Sequence, residues 1–287
     1  MTRHIGIFFH YQQGDRLSDF PQALDGILQD HRTMLYDAHY PDKPPAGFQL
    51  QELPQDLLCQ VHAPDMVAQV AKSELYQSAL YSAGGVVQAA EKLRTGEIDN
   101  AFVFTGCGDH HAGWNFYGGG CYLNGAALAI ARLKAIGAQR FAIVDTDPHH
   151  GDGTWDIFVE DESVLYLCLC HNPFAEQNHN VNIPIPWHTT DEDYMNLLGR
   201  EVAPRARSFR PEVIFWNWGY DGTHGEYGDI GLSRDCHHRM AVLLQALADE
   251  VCKGHLIAVL CGGSGRAVAT YAIPRIIRHL AGIDDHI

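Results

Sequence analysis

The feature that most constrains this chain is one stretch, Phe141 to Thr154, reading FAIVDTDPHHGDGT. From Arg140 to Val144 there is no polar alternation, the pattern of a strand covered on both faces in a parallel sheet. Asp145, Asp147, His149, His150 and Asp152 follow immediately. Strand geometry continued past Val144 would send Asp145, Asp147 and His149 to one side, because side chains alternate with period two. Carboxylate and imidazole meeting at the C-terminal end of a buried strand form a ligand pair suited to a divalent metal. Carboxylates beyond those a metal needs can orient histidine rings. Gly151 and Gly153 allow a sharp turn directly afterwards. A merely solvated loop is the alternative, and so much charge behind an apolar strand weighs against it.

Around that strand, apolar runs alternate with helical periodicity. His4–Phe9, Ala101–Thr105, Val164–Cys170, Val213–Trp218 and Leu256–Leu260 read as strands. Glu74–Leu93, Leu123–Ile136, Thr190 to near Arg205 and Ser233 to near Val251 read as helices. Thr190 with Asp193, and Ser233, carry cap chemistry. Gly84 and Gly85 in mid-helix imply close approach of a neighbour, since two such glycines cost about 2 kcal/mol against alanine. Gln12–Pro54 is irregular, with Pro41, Pro44, Pro45 and Gly47 marking a loop. Strands alternating with helices imply an α/β fold, a three-layer parallel sheet with helices on both faces. A chain of 287 residues without repeat or linker implies one domain, residues 1–287.

Charge and cysteine usage exclude several classes. Lys+Arg number 20 against 35 Asp+Glu, a formal net charge of -15. Direct nucleic-acid binding, which calls for a basic patch, is therefore not expected. The eight cysteines form no CxxC pair, and Cys168 and Cys170 read as core filling. Reduced thiols without a signal peptide point to a cytoplasmic protein. No apolar run reaches transmembrane length, and no GxSxG elbow marks a serine hydrolase. An oligomer is compatible with all of this.

Ligands of open parallel sheets bind at the carboxyl ends of the strands. Those ends carry Asp109, His110 and His111; then Asp147, His149 and Asp152; then Tyr220, Asp221, His224 and Asp229; then Gly262, Gly263, Ser264, Gly265 and Arg266. The motifs YQSALYSAGG, GDHHAG, GGGCYLNGAALAI, VDTDPHHGDGT, VNIPI with DEDY, and GYDGTHGEYGD occur in that order between Tyr76 and Pro274. On these motifs the chain resembles the histone deacetylase superfamily, including bacterial acetylpolyamine amidohydrolases and acetoin-utilisation proteins. Its fold would then be arginase/deacetylase-like.

The resemblance implies a catalytic zinc ion, Zn2+, held by Asp147, His149 and Asp221. Three protein ligands leave a position open for water and a substrate carbonyl, as catalytic sites require. It further implies that His110 and His111 are the family's paired histidines, oriented by Asp145 and Asp152 respectively. His111 would act as general base and later protonate the leaving amine. His150 would face the other way and be structural. A monovalent cation, K+, would sit near the Asp145–His149 backbone, with further carbonyls from Cys168 and Leu169. The implied reaction is hydrolysis of an acylated amine such as acetyl-lysine or an acetylpolyamine, releasing acetate and the amine.

This chain departs from the family's pattern at two positions. GGSGR stands where the family reads GGGGY, so Arg266 occupies the place of a tyrosine that hydrogen-bonds the oxyanion. Losing such a donor costs about 10²–10³ in rate. Arg266 could replace it as a cation, bind an anionic substrate group, or make a structural ion pair, with Asp229 or Glu226 its expected partners. Tyr220, Tyr227 and Tyr271 are further hydroxyl sources. Gly120 stands where acetyl-lysine deacetylases place a tunnel-wall phenylalanine, so a wider slot is expected, with Phe116, Tyr117 and Phe174 as candidate walls. The family's His-Pro motif has no clear counterpart around FFHYQQGDRLSDFPQ. A catalytically weak metal- and acyl-binding homologue and an arginase-like dinuclear manganese ureohydrolase are the competing readings.

Overall fold

The computed structural model describes residues 3–9, 24, 26–36 and 53–283. Among these, nine strands form one sheet: β1 (Ile5–Phe8), β2 (Thr33–Tyr36), β3 (Asn100–Val103), β4 (Phe141–Asp145), β5 (Val164–Cys170), β6 (Ala175–Gln177), β7 (Asn180–Pro184), β8 (Val213–Gly219) and β9 (Leu256–Gly262). Their spatial order is β2-β1-β3-β9-β8-β4-β5-β7-β6. Every neighbouring pair is parallel except β6–β7 at the edge. The helices are α1 (Gln55–Val61), α2 (Pro64–Val70), α3 (Tyr76–Thr95), α4 (Gly125–Ala135), α5 (Asp152–Phe158), α6 (Asp191–Phe209), α7 (Arg234–Cys252) and α8 (Arg266–Leu280).

Period-two alternation in β8 divides the core. Ile214, Trp216 and Trp218 enter the layer under α6, α7 and α8, whereas Val213 and Phe215 enter the layer under α1 to α5. Both faces of the strand are dry, which is why its sequence shows no polar alternation. Each fully buried Phe-sized side chain contributes roughly 1.5–3 kcal/mol. The expected three-layer α/β architecture, with helices on both faces of a mostly parallel sheet, is the observed one.

Local chemistry sets the helix starts. Asn124, Thr190 and Ser233 cap α4, α6 and α7 by accepting from the backbone N–H of Ala127, Asp193 and Asp235, each cap contributing about 1 kcal/mol. A Cβ on Gly125 would stand 3.2 Å from Ala83 Cα and 2.9 Å from Val86 Cγ2. Thus α3 and α4 approach closely beside Gly84 and Gly85, as their placement in mid-helix suggested.

Other segments differ from the sequence reading. Thr33–Tyr36 is a strand inside a stretch read as irregular, and it pairs in parallel with β1. The short helices α1, α2 and α5, the edge strands β6 and β7, and α8 carried no clear signal, and α6 continues past Pro204 to Phe209. The loop marked by Pro41, Pro44, Pro45 and Gly47, and most of FFHYQQGDRLSDFPQ, lie outside the described residues.

Candidate active site

Pairing places the polar strand ends side by side. β4 lies between β5 and β8, with Asp145 opposite Cys168 and Asn217, and β9 lies beyond β8. Chain leaving β4 therefore meets chain leaving β8 at the same edge of the sheet. There Asp147, His149 and Asp221 come together, with ligand atoms within 4.8 Å of one another. His149 Nδ1 stands 2.9 Å from Asp147 Oδ1 and 2.9 Å from Asp221 Oδ2. Asp147 and Asp221 are buried, whereas His149 is partly open to solvent.

These residues fit a metal. Asp221 Oδ1 is buried with no hydrogen-bond partner among the described residues, a costly state for a carboxylate oxygen unless something else satisfies it. Bonds of about 2.0–2.2 Å from one ion to nitrogen and oxygen donors put those donors about 3 Å apart, close to the spacing seen here. Backbone also makes room. A Cβ on Gly219 would collide with Asp147 Oδ2 and stand 2.5 Å from Asp221 Oδ1, and one on Gly262 would strike the same Asp147 oxygen. Glycine at the ends of β8 and β9 thus leaves a cradle around the two carboxylates.

Electrostatics follow from this crowding. Burial raises the Asp221 carboxyl, and the neighbouring Asp147 charge adds to it, bringing its pKa to about 6. Burial also opposes ionisation of Asp147, but the His110 and His149 charges hold it below the usual carboxylate range. Contact with Asp147, then with Asp221, raises His149 to about 10. A ring nitrogen that holds a proton cannot hold a metal, so metal binding at His149 would release that proton.

The two histidines beside this group are each backed by a carboxylate. His110 Nδ1 lies 2.9 Å from Asp145 Oδ2, and His111 Nδ1 lies 2.6 Å from Asp152 Oδ1. Both rings therefore turn Nε2 away from their carboxylates, and His110 Nε2 lies 4.0 Å from Asp147 Oδ1. The rings lie 4.2 Å apart, centroid to centroid, and His111 lies 6.3 Å from His149. Burial alone would lower His110, but the charges of Asp145 and Asp147 overcome it and raise its pKa to about 10. His110, His111, Asp145, Asp152, Asp147, His149 and Asp221 thus form one constellation, as the sequence suggested. His150 points away from the ligand set, with Nδ1 towards the thiols of Cys168 and Cys170.

Other strand-end residues are used differently. Asp109 accepts the Ala126 N–H at 3.1 Å at the start of α4, and burial raises its pKa to about 7. His224 is exposed and faces Asp229 at 3.1 Å. Asp229 also accepts from Gly225 and Gly231 N–H, and Glu226 accepts from Gly265 N–H at 2.8 Å. Arg266 is the first residue of α8 and is exposed. Of the three tyrosines, Tyr271 donates to Asp235 and lies between Arg234 and Arg275. Tyr220 is buried against Trp218. Only Tyr227 reaches the ligand group: its ring is stacked on His149 at 5.6 Å, and its hydroxyl accepts the Gly263 N–H at 3.1 Å. Position 120 is open, with φ +82° and nothing within 4 Å of a Cβ built there. Phe116, Tyr117 and Phe174 are all exposed.

Two supports escaped the sequence reading. Tyr166 donates to Asp145 Oδ2 at 2.8 Å; a tyrosine on the buried face of β5 needs a partner for its hydroxyl, and that was the available signal. His237 on α7 bridges Trp218 and Thr223, accepting from Trp218 Nε1 at 3.0 Å and lying 2.7 Å from Thr223 Oγ1. From α7 it ties together Trp218 and Thr223, which flank Asp221 in the chain, a link that no local spacing reveals.

A family model described as the histone deacetylase domain matches residues 47–280. A probable deacetylase of Archaeoglobus fulgidus is 33% identical over 225 residues, covering 73% of this chain and 63% of that protein. A histone deacetylase-like amidohydrolase of Pseudomonas aeruginosa is 29% identical over 224 residues, covering 72% of this chain and 59% of that protein. The chain thus spans about three fifths of the length of these two relatives. Among solved structures, the HDA15 HD domain superposes with a TM-score of 0.85 at 23% identity, covering 98% of this chain and 90% of that one. With its matched family model, parallel sheet and converging Asp–His ligand group, this chain belongs to the histone deacetylase domain family.

Proposed function

We propose that this chain is a zinc-dependent amidohydrolase that removes an acyl group, such as acetyl, from the nitrogen of an amine. The observation that carries this reading is the convergence of Asp147, His149 and Asp221 beside two histidines that each face their own carboxylate. When bound there, a zinc ion would polarise the acyl carbonyl and make a water molecule more acidic, so that no covalent nucleophile is needed. The substrate class follows from the family and from the word amidohydrolase in a relative's name. We read residues 1–287 as a single catalytic domain.

The chain's own residues divide the proton work. Asp152 fixes the His111 tautomer with its proton on Nδ1, leaving Nε2 free to accept from the attacking water and to return that proton to the departing amine. His110, buried between two carboxylates whose charges raise its pKa to about 10, holds its proton, so its Nε2–H can hydrogen-bond the water or the carbonyl. A divalent ion on Asp147 would weaken the negative field that sustains this proton. Tyr227 supplies the phenolic oxyanion donor that the family carries at position 266. Its oxygen accepts from Gly263 N–H, and its O–H, which faces Asp221, would turn to the oxyanion once a metal holds that carboxylate. Arg266 remains the other candidate for the carbonyl or an anionic substrate group. A monovalent cation, K+, beside the Asp145–His149 backbone belongs to the same reading.

No helix among the described residues is long and apolar enough to cross a membrane, and all eight cysteines are free thiols, which supports a reducing, cytoplasmic setting. The test is His111→Ala. It should keep wild-type metal content yet lose at least about 10²-fold in turnover. Undiminished turnover would transfer the role of base to His110.

A further inference from the structure

On the opposite side of the loop from His149, a second group of ligand-type atoms converges. His150 Nδ1 lies 3.7 Å from Cys168 Sγ and 3.7 Å from Cys170 Sγ. All three atoms lie within 4.8 Å of one another. The alternation of β5 puts both thiols on one face. The pairing of Asp145 with Cys168 sets that face beside the chain leaving β4. Both cysteines are fully buried, and His150 is half-buried.

The thiols also hydrogen-bond each other and the backbone at Gly151 and Asn172, so what points to an ion is the convergence and spacing of the three ligand atoms. A ring nitrogen offers one in-plane position, either a lone pair or a proton. It can therefore satisfy one thiol and not two. Two sulfurs equidistant from one nitrogen fit a single ion placed among them. Metal–sulfur bonds of about 2.3 Å and metal–nitrogen bonds of about 2.0–2.1 Å at tetrahedral angles put sulfur and nitrogen about 3.6 Å apart. The observed separations are 3.7 Å. Thiolates with an imidazole select zinc and similar thiophilic ions over magnesium or calcium.

We propose that His150, Cys168 and Cys170 form a second metal site, for a thiophilic ion of the zinc class, with the fourth position open to water on the half-exposed side of His150. An ion there ties the loop carrying Asp147 and His149 to β5, and so fixes two ligands of the first site from behind. The two sites differ in chemistry, because the first offers only oxygen and nitrogen donors. The second site stands whether or not the chain hydrolyses amides.

Cobalt(II) separates the two sites, because thiolate ligands give it an intense near-ultraviolet charge-transfer band that carboxylate and imidazole ligands do not. The full-length chain, reduced and stripped by chelation, is titrated with cobalt(II). Wild type should take up two equivalents, one of them developing the band. Asp221→Ala should lose one equivalent and keep the band. Cys170→Ser should lose the other equivalent together with the band. His150→Ala, at a half-exposed position, should bind that equivalent at least tenfold more weakly. The proposal is overturned if reduced wild type shows no thiolate band at saturation. It is equally overturned if the band is undiminished in both Cys170→Ser and His150→Ala.

Discussion

Gly219→Ala probes the cradle around the proposed zinc with a single methyl group. The new Cβ would collide with Asp147 Oδ2 and stand 2.5 Å from Asp221 Oδ1. Neither carboxylate can move freely, since both are buried among packed strand ends. Overpacking of this kind costs about 1–3 kcal/mol. If the strain falls on the ligands, metal affinity drops by about five- to 150-fold, at about 1.4 kcal/mol per factor of ten. Competition between the protein and a chelator of known affinity measures this directly, and thermal unfolding of the stripped protein shows how much strain falls on folding instead. Gly199→Ala is the control, because its Cβ would meet only Leu243 Cδ1 at 3.8 Å in the interior of α6. That change should leave metal binding alone and stabilise the chain by up to about 1 kcal/mol. The reasoning fails if Gly219→Ala matches wild type in both metal affinity and stability of the stripped protein.

Two further outcomes are expected. Tyr227→Phe should lower kcat by about 10²-fold while metal content and KM stay near wild type; if Arg266→Ala shows that loss and Tyr227→Phe does not, the oxyanion donor is the arginine. His237 is held neutral by burial, which lowers its pKa from 6.5 to about 4. The unfolded chain then binds more protons between those values, so this contribution is full above about pH 6.5 and shrinks as pH falls towards 4. Denaturant unfolding of wild type and His237→Gln should show their stability difference narrowing by about 2 kcal/mol between about pH 7 and pH 5. A constant or widening difference would contradict this.

Local rules carried the site a long way. Asp145, at the end of β4, and the Asp147 and His149 just beyond it stood out because an apolar strand ran straight into them. His110 and Asp152 needed the family motifs to be given roles. Nothing local could say that Asp221, more than 70 residues later, shares a site with Asp147; the pairing of β4 with β8 decides that. The same limit explains the thiols. Cys168 and Cys170 are core residues, as read from their apolar strand, but only the register of β5 on β4 brings His150 to them. α8 went unseen because it follows a glycine-rich turn and contains Pro274, two signals that usually end helices. Tyr227 was one of three tyrosines of equal standing until its ring was found on His149.

The central claim is metal-dependent hydrolysis of an acylated amine, and acetate release measures it most directly. Zinc-loaded protein, the same protein stripped by chelation, and the stripped protein reloaded with zinc are each incubated with acetyl-lysine peptides, acetylated polyamines and small acetamides. The account expects at least one of these to yield acetate and free amine in equal amounts, with activity lost on stripping and regained on reloading. Full zinc content without acetate from any of them would leave a metal-binding homologue that does not catalyse, and equal release from the stripped protein would remove the metal from the mechanism.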